Sequence, residues 1–349
     1  MNNAVQILFD ELSFRQAPLS AVEPTAAPWT QDLGFVLPVH GTERQFRCGL
    51  PYYVRDLSPA HLGEAWPVFC GLLRRYGLPL FSSVADLQQV PAAAVPPRMG
   101  RRFVNEPLDA VELQAADGFE LVCRDRHLPA WGWATEVVPE GAETADCELP
   151  ALISAVRQAA GGDTPLGVGL PLGCQRRDLQ RCLQAKVDFI SLLATSANME
   201  LADAYHLVQT RRACLQEGLP GLPLLVAVPL DHGQQALKLL ALGASAVCID
   251  SLLRPLIPKA ETQGAAALAS GGGMLSSIAA AAARKPPTLP KVEALLQQLH
   301  TELAACLRQV GVHEPGELGL DCLQAFSPRT LRLIDPKTPH ALPTPDRRA

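Results

Sequence analysis

The chain has 349 residues, of which 48% are hydrophobic and 19% are charged, and its formal net charge is −5. This composition is typical of a globular protein with a large core and excludes a disordered chain. The negative net charge argues against nucleic acid and anionic membranes as partners. No apolar run approaches the ~20 residues of a membrane span. Because the N-terminus also lacks the basic segment of a secretory signal, we expect a cytoplasmic location.

The first 47 residues are predicted to be an N-terminal lead-in. An apolar face over residues 5–12 predicts a short docking helix, and the rest of the lead-in has little periodicity. A first β–α–β unit follows at 49–84. Within it, Ser58 and Pro59 have the pattern of a helix N-cap followed by proline at the first helical position.

The middle of the chain alternates between short apolar runs and amphipathic segments. A strand is predicted at 119–123 and a helix at 148–162. Further strands are predicted at 164–172, 187–194, 222–228 and 244–250, with helices between them at 178–186, 200–218 and 232–243. Apolar strands that alternate with helices are typical of a parallel sheet covered by helices. Ligands of such sheets bind at the carboxyl ends of the strands.

The C-terminal part is predicted to be helical. Residues 289–311 carry one apolar stripe that ends at Gly311, a typical C-terminal cap. A second, shorter helix is predicted at 312–326, and a Pro-rich disordered tail at 336–349. We therefore predict an α/β fold, a (β/α)8 TIM-type barrel over residues 48–285 with a helical extension at 286–335.

The ten cysteines are spread along the chain, and no two are closer than eight residues in sequence. No CxxC pattern is present, so no metal site and no iron–sulfur cluster are expected. We expect buried free thiols.

The order of elements resembles the FMN-binding synthase domain of glutamate synthase, which is a (β/α)8 barrel. The segments that carry the resemblance are 99–125, 149–173, 182–192, 222–253 and 286–326. The resemblance implies FMN as cofactor and the reductive synthesis of glutamate from 2-oxoglutarate and ammonia. Reduced FMN would deliver a hydride to 2-iminoglutarate.

The sequence departs from this family at the flavin site. The glycine-rich flavin loop is replaced by LLATSANME at 192–200, and no lysine stands at Leu170–Leu172. Two acidic residues, Asp231 and Asp250, would face the phosphate, which is unfavourable. No cysteine occurs between residues 248 and 306, where the family holds its iron–sulfur cluster.

Seven residues are the candidates for cofactor binding by position at strand ends. They are Ser58, Thr195, Ser196, Asn198, His232, Gly233 and Ser251. The alternative for the hydroxyl and amide side chains is helix capping, and Asp231 is the candidate N-cap of the helix that begins near His232.

Catalysis is expected to be weakened or lost, so whether the chain is an enzyme stays open. One alternative is a non-catalytic barrel, a pseudoenzyme, that binds or regulates a protein partner. A second alternative is a barrel enzyme that binds another phosphorylated small molecule at the strand ends. No residue is predicted to be catalytic.

Overall fold

The structure is a computed structural model that describes residues 9, 11–16, 33–39, 41–90, 94–103, 116–122, 149–160, 162–174, 176–194, 201–257 and 289–335. Eight parallel strands with helices between them form a TIM-type (β/α)8 barrel, as the sequence predicts. The barrel strands are β4 (Tyr52–Tyr53), β5 (Leu80–Ser83), β6 (Arg98–Phe103), β7 (Gly118–Val122), β8 (Leu166–Pro171), β9 (Phe189–Leu193), β10 (Leu224–Ala227) and β11 (Ala246–Cys248).

The barrel closes between its first and last strands in the chain. β11 pairs in parallel with β4, and a bridge between Val54 and Leu80 joins β4 to β5. Because β4 has only two residues, its ladders with β11 and β5 are short, and other interactions at the end of β4 contribute to closing the barrel.

Helices follow the strands and cover the outside of the barrel. Their bounds are α1 (Pro59–Leu62), α2 (Trp66–Arg75), α3 (Val84–Gln88), α4 (Leu149–Ala159), α5 (Arg176–Gln184), α6 (Leu201–Gln216), α7 (Gly233–Ala241), α8 (Asp250–Leu253), α9 (Pro290–Val310) and α10 (Pro328–Ile334). Proline stands at the start of α1, directly after Ser58, as predicted.

The amino-terminal half of the barrel interior is filled with large apolar side chains. Tyr53, Phe81 and Phe189 are fully buried there. The hairpin of β2 (Phe35–Pro38) and β3 (Gln45–Cys48) packs on the same cluster and closes this end. The interior is therefore a packed core at its amino-terminal end, and the space inside the barrel that is left for a ligand lies at the opposite end.

Gly167 in β8 is needed for this packing. A Cβ atom at Gly167 would lie 2.1 Å from the Phe189 ring, far inside van der Waals contact. The absent side chain therefore leaves room for the aromatic ring.

The predicted C-terminal helix is present as α9. Its buried residues form one stripe, Val292, Leu296, Leu299, Leu303, Cys306 and Leu307. The helix ends at Gly311, which adopts the left-handed conformation with φ 76°, as predicted for a glycine cap.

Of the predicted docking helix over 5–12, the structure describes only Phe9, which is helical, and residues 11 and 12, where β1 (Leu12–Phe14) begins, so this helix stays a prediction. Another local prediction, near the C-terminus, is wrong. The predicted helix at 312–326 is instead two 3₁₀ turns followed by β12 (Leu323–Ala325). β1 and β12 pair as an antiparallel ribbon. Pro315, Gly316 and Gly319 explain why this segment does not continue as an α-helix.

The eight described cysteines are free, and all except Cys174 are buried. This agrees with the expected buried thiols. Within the described residues, no helix is long and apolar enough to cross a membrane. The predicted domain boundaries stay predictions.

Candidate functional site

Charged residues gather at the carboxyl ends of β4, β6, β7 and β11. Arg55 and Asp56 follow β4, Arg101 lies in β6, Glu120 lies in β7, and Asp250 follows β11. Strand order places β4 next to β11, and β6 next to β7. In (β/α)8 barrels this end carries the functional residues, so the charged groups mark the candidate site.

Arg55 and Glu120 form an ion pair inside the barrel. The Arg55 Nη1 atom is 2.7 Å from Oε1 and 2.6 Å from Oε2 of Glu120, and both side chains are almost fully buried. Burial alone would lower the pKa of Arg55, but Glu120 and Asp56 raise it above its ordinary value. Arg55 therefore stays charged, and the pair fixes the polar floor of the candidate site.

Asp250 is hydrogen-bonded to the backbone that follows β4. Its carboxylate accepts hydrogen bonds from the backbone N–H of Arg55 at 3.0 Å and of Asp56 at 2.5 Å. Burial, and after it the nearby Asp56 carboxylate, raises the pKa of Asp250 to about 6. This carboxylate reinforces the short seam between β11 and β4.

Asp56 turns outwards to Arg101. The Arg101 Nη1 atom is 2.6 Å from Asp56 Oδ1, and both side chains are partly exposed. Burial would raise the pKa of Asp56, but Arg101 and Arg55 outweigh it and lower the pKa. Asp56 is consequently ionised at neutral pH.

His61 on α1 completes the rim together with Ser58 and Arg254. Its Nδ1 atom is 2.8 Å from Ser58 Oγ. Burial and the charge of Arg254 lower the pKa of His61, while Asp56 and Asp86 oppose this effect. Burial lowers the pKa of Arg254 to about 10, partly offset by Asp250 and Asp56. At neutral pH, Arg254 is therefore a cation beside a neutral imidazole.

We call these residues the mouth cluster, which comprises Asp56, Ser58, His61, Arg101, Asp250 and Arg254. The cluster combines two guanidinium groups that can bind an anion with an imidazole that can accept a proton. If His61 donates its Nδ1 proton to Ser58, Nε2 keeps the lone pair. The arrangement is therefore suited to a small carboxylate that loses a proton.

Below the mouth cluster, two buried polar atoms have no hydrogen-bond partner among the described residues. They are Tyr53 Oη and Ser191 Oγ, and their residues are completely buried. Such orphaned groups are rare in protein interiors and call for a ligand or a water molecule. The polar edge of a flavin ring, which carries both N–H and C=O groups, could supply partners to these atoms.

The predicted cofactor residues are placed as follows. Ser58 is the N-cap residue of α1, but its side chain makes no backbone capping bond and instead contacts His61. Thr195, Ser196 and Asn198 lie outside the described residues.

The other three predicted residues lie after β10 and β11. His232, not Asp231, is the N-cap residue of α7, and its side chain makes no capping bond. Ser251 Oγ accepts a hydrogen bond from Leu230 N at 2.7 Å and donates one to Leu230 O at 3.0 Å. A Cβ at Gly233 would lie 2.4 Å from Glu302 Oε2, so this glycine allows α9 to pack closely. Their cofactor roles stay predictions.

Sequence reasoning missed Arg55, Arg101 and Glu120. The signal was a charged residue within or directly after an apolar strand, such as Glu120 in FELVC at 119–123. A buried charge of this kind needs a partner, because an isolated charge is costly in an apolar interior. Among the described residues, no group of three or more metal-ligating side chains is found.

The chain matches no protein-family model and no curated protein. Solved structures do resemble it. An (S)-mandelate dehydrogenase, described as a monotopic membrane protein, has a TM-score of 0.57 with 15% identity over 91% of this chain and 89% of its own. A mandelate oxidase with a bound 2-hydroxy acid has a TM-score of 0.55 with 18% identity over 90% and 86%. Flavocytochrome b2 has a TM-score of 0.57 with 15% identity over 97% and 80%.

At these identities the likeness establishes the fold alone. The predicted resemblance to glutamate synthase is wrong, since the similar structures are dehydrogenases and oxidases of mandelate and a flavocytochrome. The predicted glutamate synthesis is wrong for the same reason. The physical cause is that the matched segments are apolar strands and amphipathic helices, whose spacing is common to many (β/α)8 barrels.

Proposed function

We propose that this protein is an FMN-dependent oxidoreductase that oxidises a small α-hydroxy acid at the mouth cluster. The observation that carries the proposal is that the charge of Arg254 acts on the imidazole of His61, while Asp56 holds Arg101 at the same end of the barrel. The fold likeness supports it, since the similar structures include a mandelate dehydrogenase and a mandelate oxidase containing a monooxide FMN adduct.

The substrate carboxylate is assigned to the two guanidinium groups. Arg254 is the main candidate because its charge acts directly on His61. A guanidinium binds a carboxylate through two parallel N–H···O bonds, which fixes the orientation of the acid as well as its position. The α carbon would then lie beside α1, close to His61.

His61 is the proposed proton acceptor. Its lowered pKa keeps the ring neutral at neutral pH, and its Nδ1 atom contacts Ser58 Oγ, which assigns the role of proton acceptor to Nε2. The hydroxyl proton of the α-hydroxy acid would pass to Nε2, and the imidazolium so formed would be stabilised by Asp56 and Asp86.

The polar floor is the proposed contact for the cofactor. Tyr53 Oη and Ser191 Oγ lack partners within the described residues, and they fit the polar edge of a flavin ring. FMN, when bound, would accept the α hydrogen together with its bonding pair of electrons, and with the hydroxyl proton on His61 the acid becomes a 2-oxo acid. The buried Arg55–Glu120 pair keeps this floor rigid.

The proposal is tested by steady-state oxidation of glycolate, lactate and mandelate with FMN and an artificial electron-accepting dye. We expect Arg254→Gln to raise KM, because it removes carboxylate binding. We expect His61→Gln to lower kcat by roughly 10²–10⁴-fold. An equal rate in wild type and both variants would contradict the assignment.

A further inference from the structure

A second cavity, which we call the amino-face cavity, opens at the amino-terminal ends of β10 and β11. Its volume is about 1040 Å³. Sites for small molecules usually span roughly 300–1,000 Å³. Conserved function in (β/α)8 barrels lies at the other end, so this cavity is separate from the mouth cluster.

Three arginines line the amino-face cavity, and none of them has a carboxylate partner among the described residues. They are Arg15, Arg211 and Arg212. Arg211 is clamped by neutral oxygens, since it donates to Gly243 O at 2.7 Å and to Leu222 O at 2.8 Å. Burial lowers the pKa of Arg211, which is the expected response of a cation whose charge is not compensated.

Arg212 provides the strongest indication that the cavity binds an anion. Its Nη2 atom is buried and makes no hydrogen bond, although a guanidinium N–H is among the strongest donors in proteins. An unsatisfied buried charged donor costs more than a neutral one. Arg212 as a whole is only partly buried and lines the cavity, so a small rotation of its side chain would let this unused donor meet an oxyanion there.

Carboxylates also line the cavity but do not neutralise these arginines. They are Glu314, Asp321 and Asp335. In the described part of the chain none of them forms an ion pair with Arg15, Arg211 or Arg212. Glu314 and Asp321 are exposed to solvent, so their charges are screened.

The walls beside Arg212 are apolar. Val208 lies one turn earlier on α6, and Leu215 and Leu331 line the same cavity. Leu215 is 52% exposed and Leu331 is 54% exposed. Two large apolar side chains exposed on one cavity favour a ligand that has an apolar body.

We propose that the amino-face cavity binds an organic anion. The carboxylate or phosphate oxygens of the ligand accept hydrogen bonds from Arg212, and its apolar body packs on Leu215 and Leu331. The inference is independent of the proposed function, because no residue of the mouth cluster takes part.

Calorimetric titration of the full chain with phenyl phosphate, benzoate and inorganic phosphate tests the proposal. We expect saturable binding of at least one aromatic anion, tighter than that of inorganic phosphate. Phenyl phosphate and benzoate distinguish a phosphate ligand from a carboxylate ligand. Arg212→Gln should weaken binding roughly tenfold or more. Arg308→Gln, on the exposed face of α9, is the matched control and should have no effect.

Leu331→Glu provides a second test that does not depend on Arg212. This exposed position tolerates a charged side chain, and a carboxylate in the wall should weaken binding of the anion. Arg254→Gln should leave this binding unchanged, since it alters only the mouth cluster. The proposal is overturned if no aromatic anion binds saturably, or if Arg212→Gln and Leu331→Glu bind it as tightly as the wild type.

Discussion

The guanidinium of Arg55 lies within 2.7 Å of both carboxylate oxygens of Glu120, inside the barrel and shielded from water. The two residues come from β4 and β7, which are not neighbours in the sheet. The pair therefore spans the barrel beneath the mouth cluster and sets the position of the polar floor.

Glu120→Gln should destabilise the fold by about 3–5 kcal/mol. The substitution leaves the Arg55 charge buried without a counter-charge, and such losses are much larger than the net stabilisation by an intact pair. The free energy of unfolding in urea measures this.

Asp163→Asn is the matched control, because it breaks the Arg44–Asp163 pair at the surface, where the side chains are 67% and 56% exposed. Its effect should stay within ~1 kcal/mol. Equal losses of unfolding free energy in the two variants would show that the buried Arg55–Glu120 pair is no more important to stability than a surface pair.

Ionisation of the buried Asp250 carboxylate should make the stability of the fold depend on pH. Its folded pKa of about 6 is above the ordinary value of 3.8. Between these values the folded state binds more protons than the unfolded state, so stability falls as pH rises through about 6. We expect the burial of this carboxylate and its repulsion by Asp56 to account for a loss of about 1–3 kcal/mol between pH 4.5 and 7.5.

Asp250→Asn isolates this contribution. In the variant, the free energy of unfolding should no longer decrease between pH 4.5 and 7.5. Titration of Asp56 does not interfere with this comparison. Its pKa is lowered, so its effect on stability appears at more acidic pH. Parallel slopes in the two proteins would contradict the assigned direction.

Gly167→Ala should destabilise the barrel by about 1–3 kcal/mol through overpacking. The added methyl group would meet the Phe189 ring at 2.1 Å. Gly221→Ala is the control, since no atom lies within 4 Å of a Cβ there. Adding Phe189→Leu to Gly167→Ala should recover part of the loss in thermal unfolding. No recovery would mean that the ring is not the cause.

Ser251→Ala should cost about 1–2 kcal/mol of stability, because Leu230 N loses its acceptor. The same variant tests whether Ser251 also contacts the cofactor. If its role is only to join α8 to the end of β10, the Kd for FMN, measured by flavin fluorescence, should change less than twofold. A large increase in Kd would instead assign Ser251 to the phosphate.

The barrel could be predicted because its strands are apolar runs of the expected length. Residues 187–194 and 222–228 are clear cases, and both contain an observed strand. The β1–β12 ribbon could not be predicted in this way. Its strands have three residues each and pair residue 12 with residue 325, so neither has a pattern of its own.

The site was predicted only in its general place. Strand ends could be recognised from the sequence, and Ser58 does lie in the mouth cluster. Which side chains meet depends on strand order around the barrel, which brings Arg55 to Glu120 across 65 positions. The hydroxyl of Ser251 is a second example, because its hydrogen bonds to the backbone of Leu230 could not be inferred from the sequence.

The measurement that tests the central claim most directly is anaerobic mixing of FMN-loaded, desalted protein with lactate or mandelate while the visible absorbance of the flavin is recorded. We predict that the flavin stays bound and that its absorbance bleaches with an α-hydroxy acid, and much more slowly in His61→Gln. Failure to retain FMN, or a retained flavin that neither acid reduces, would contradict the proposed function.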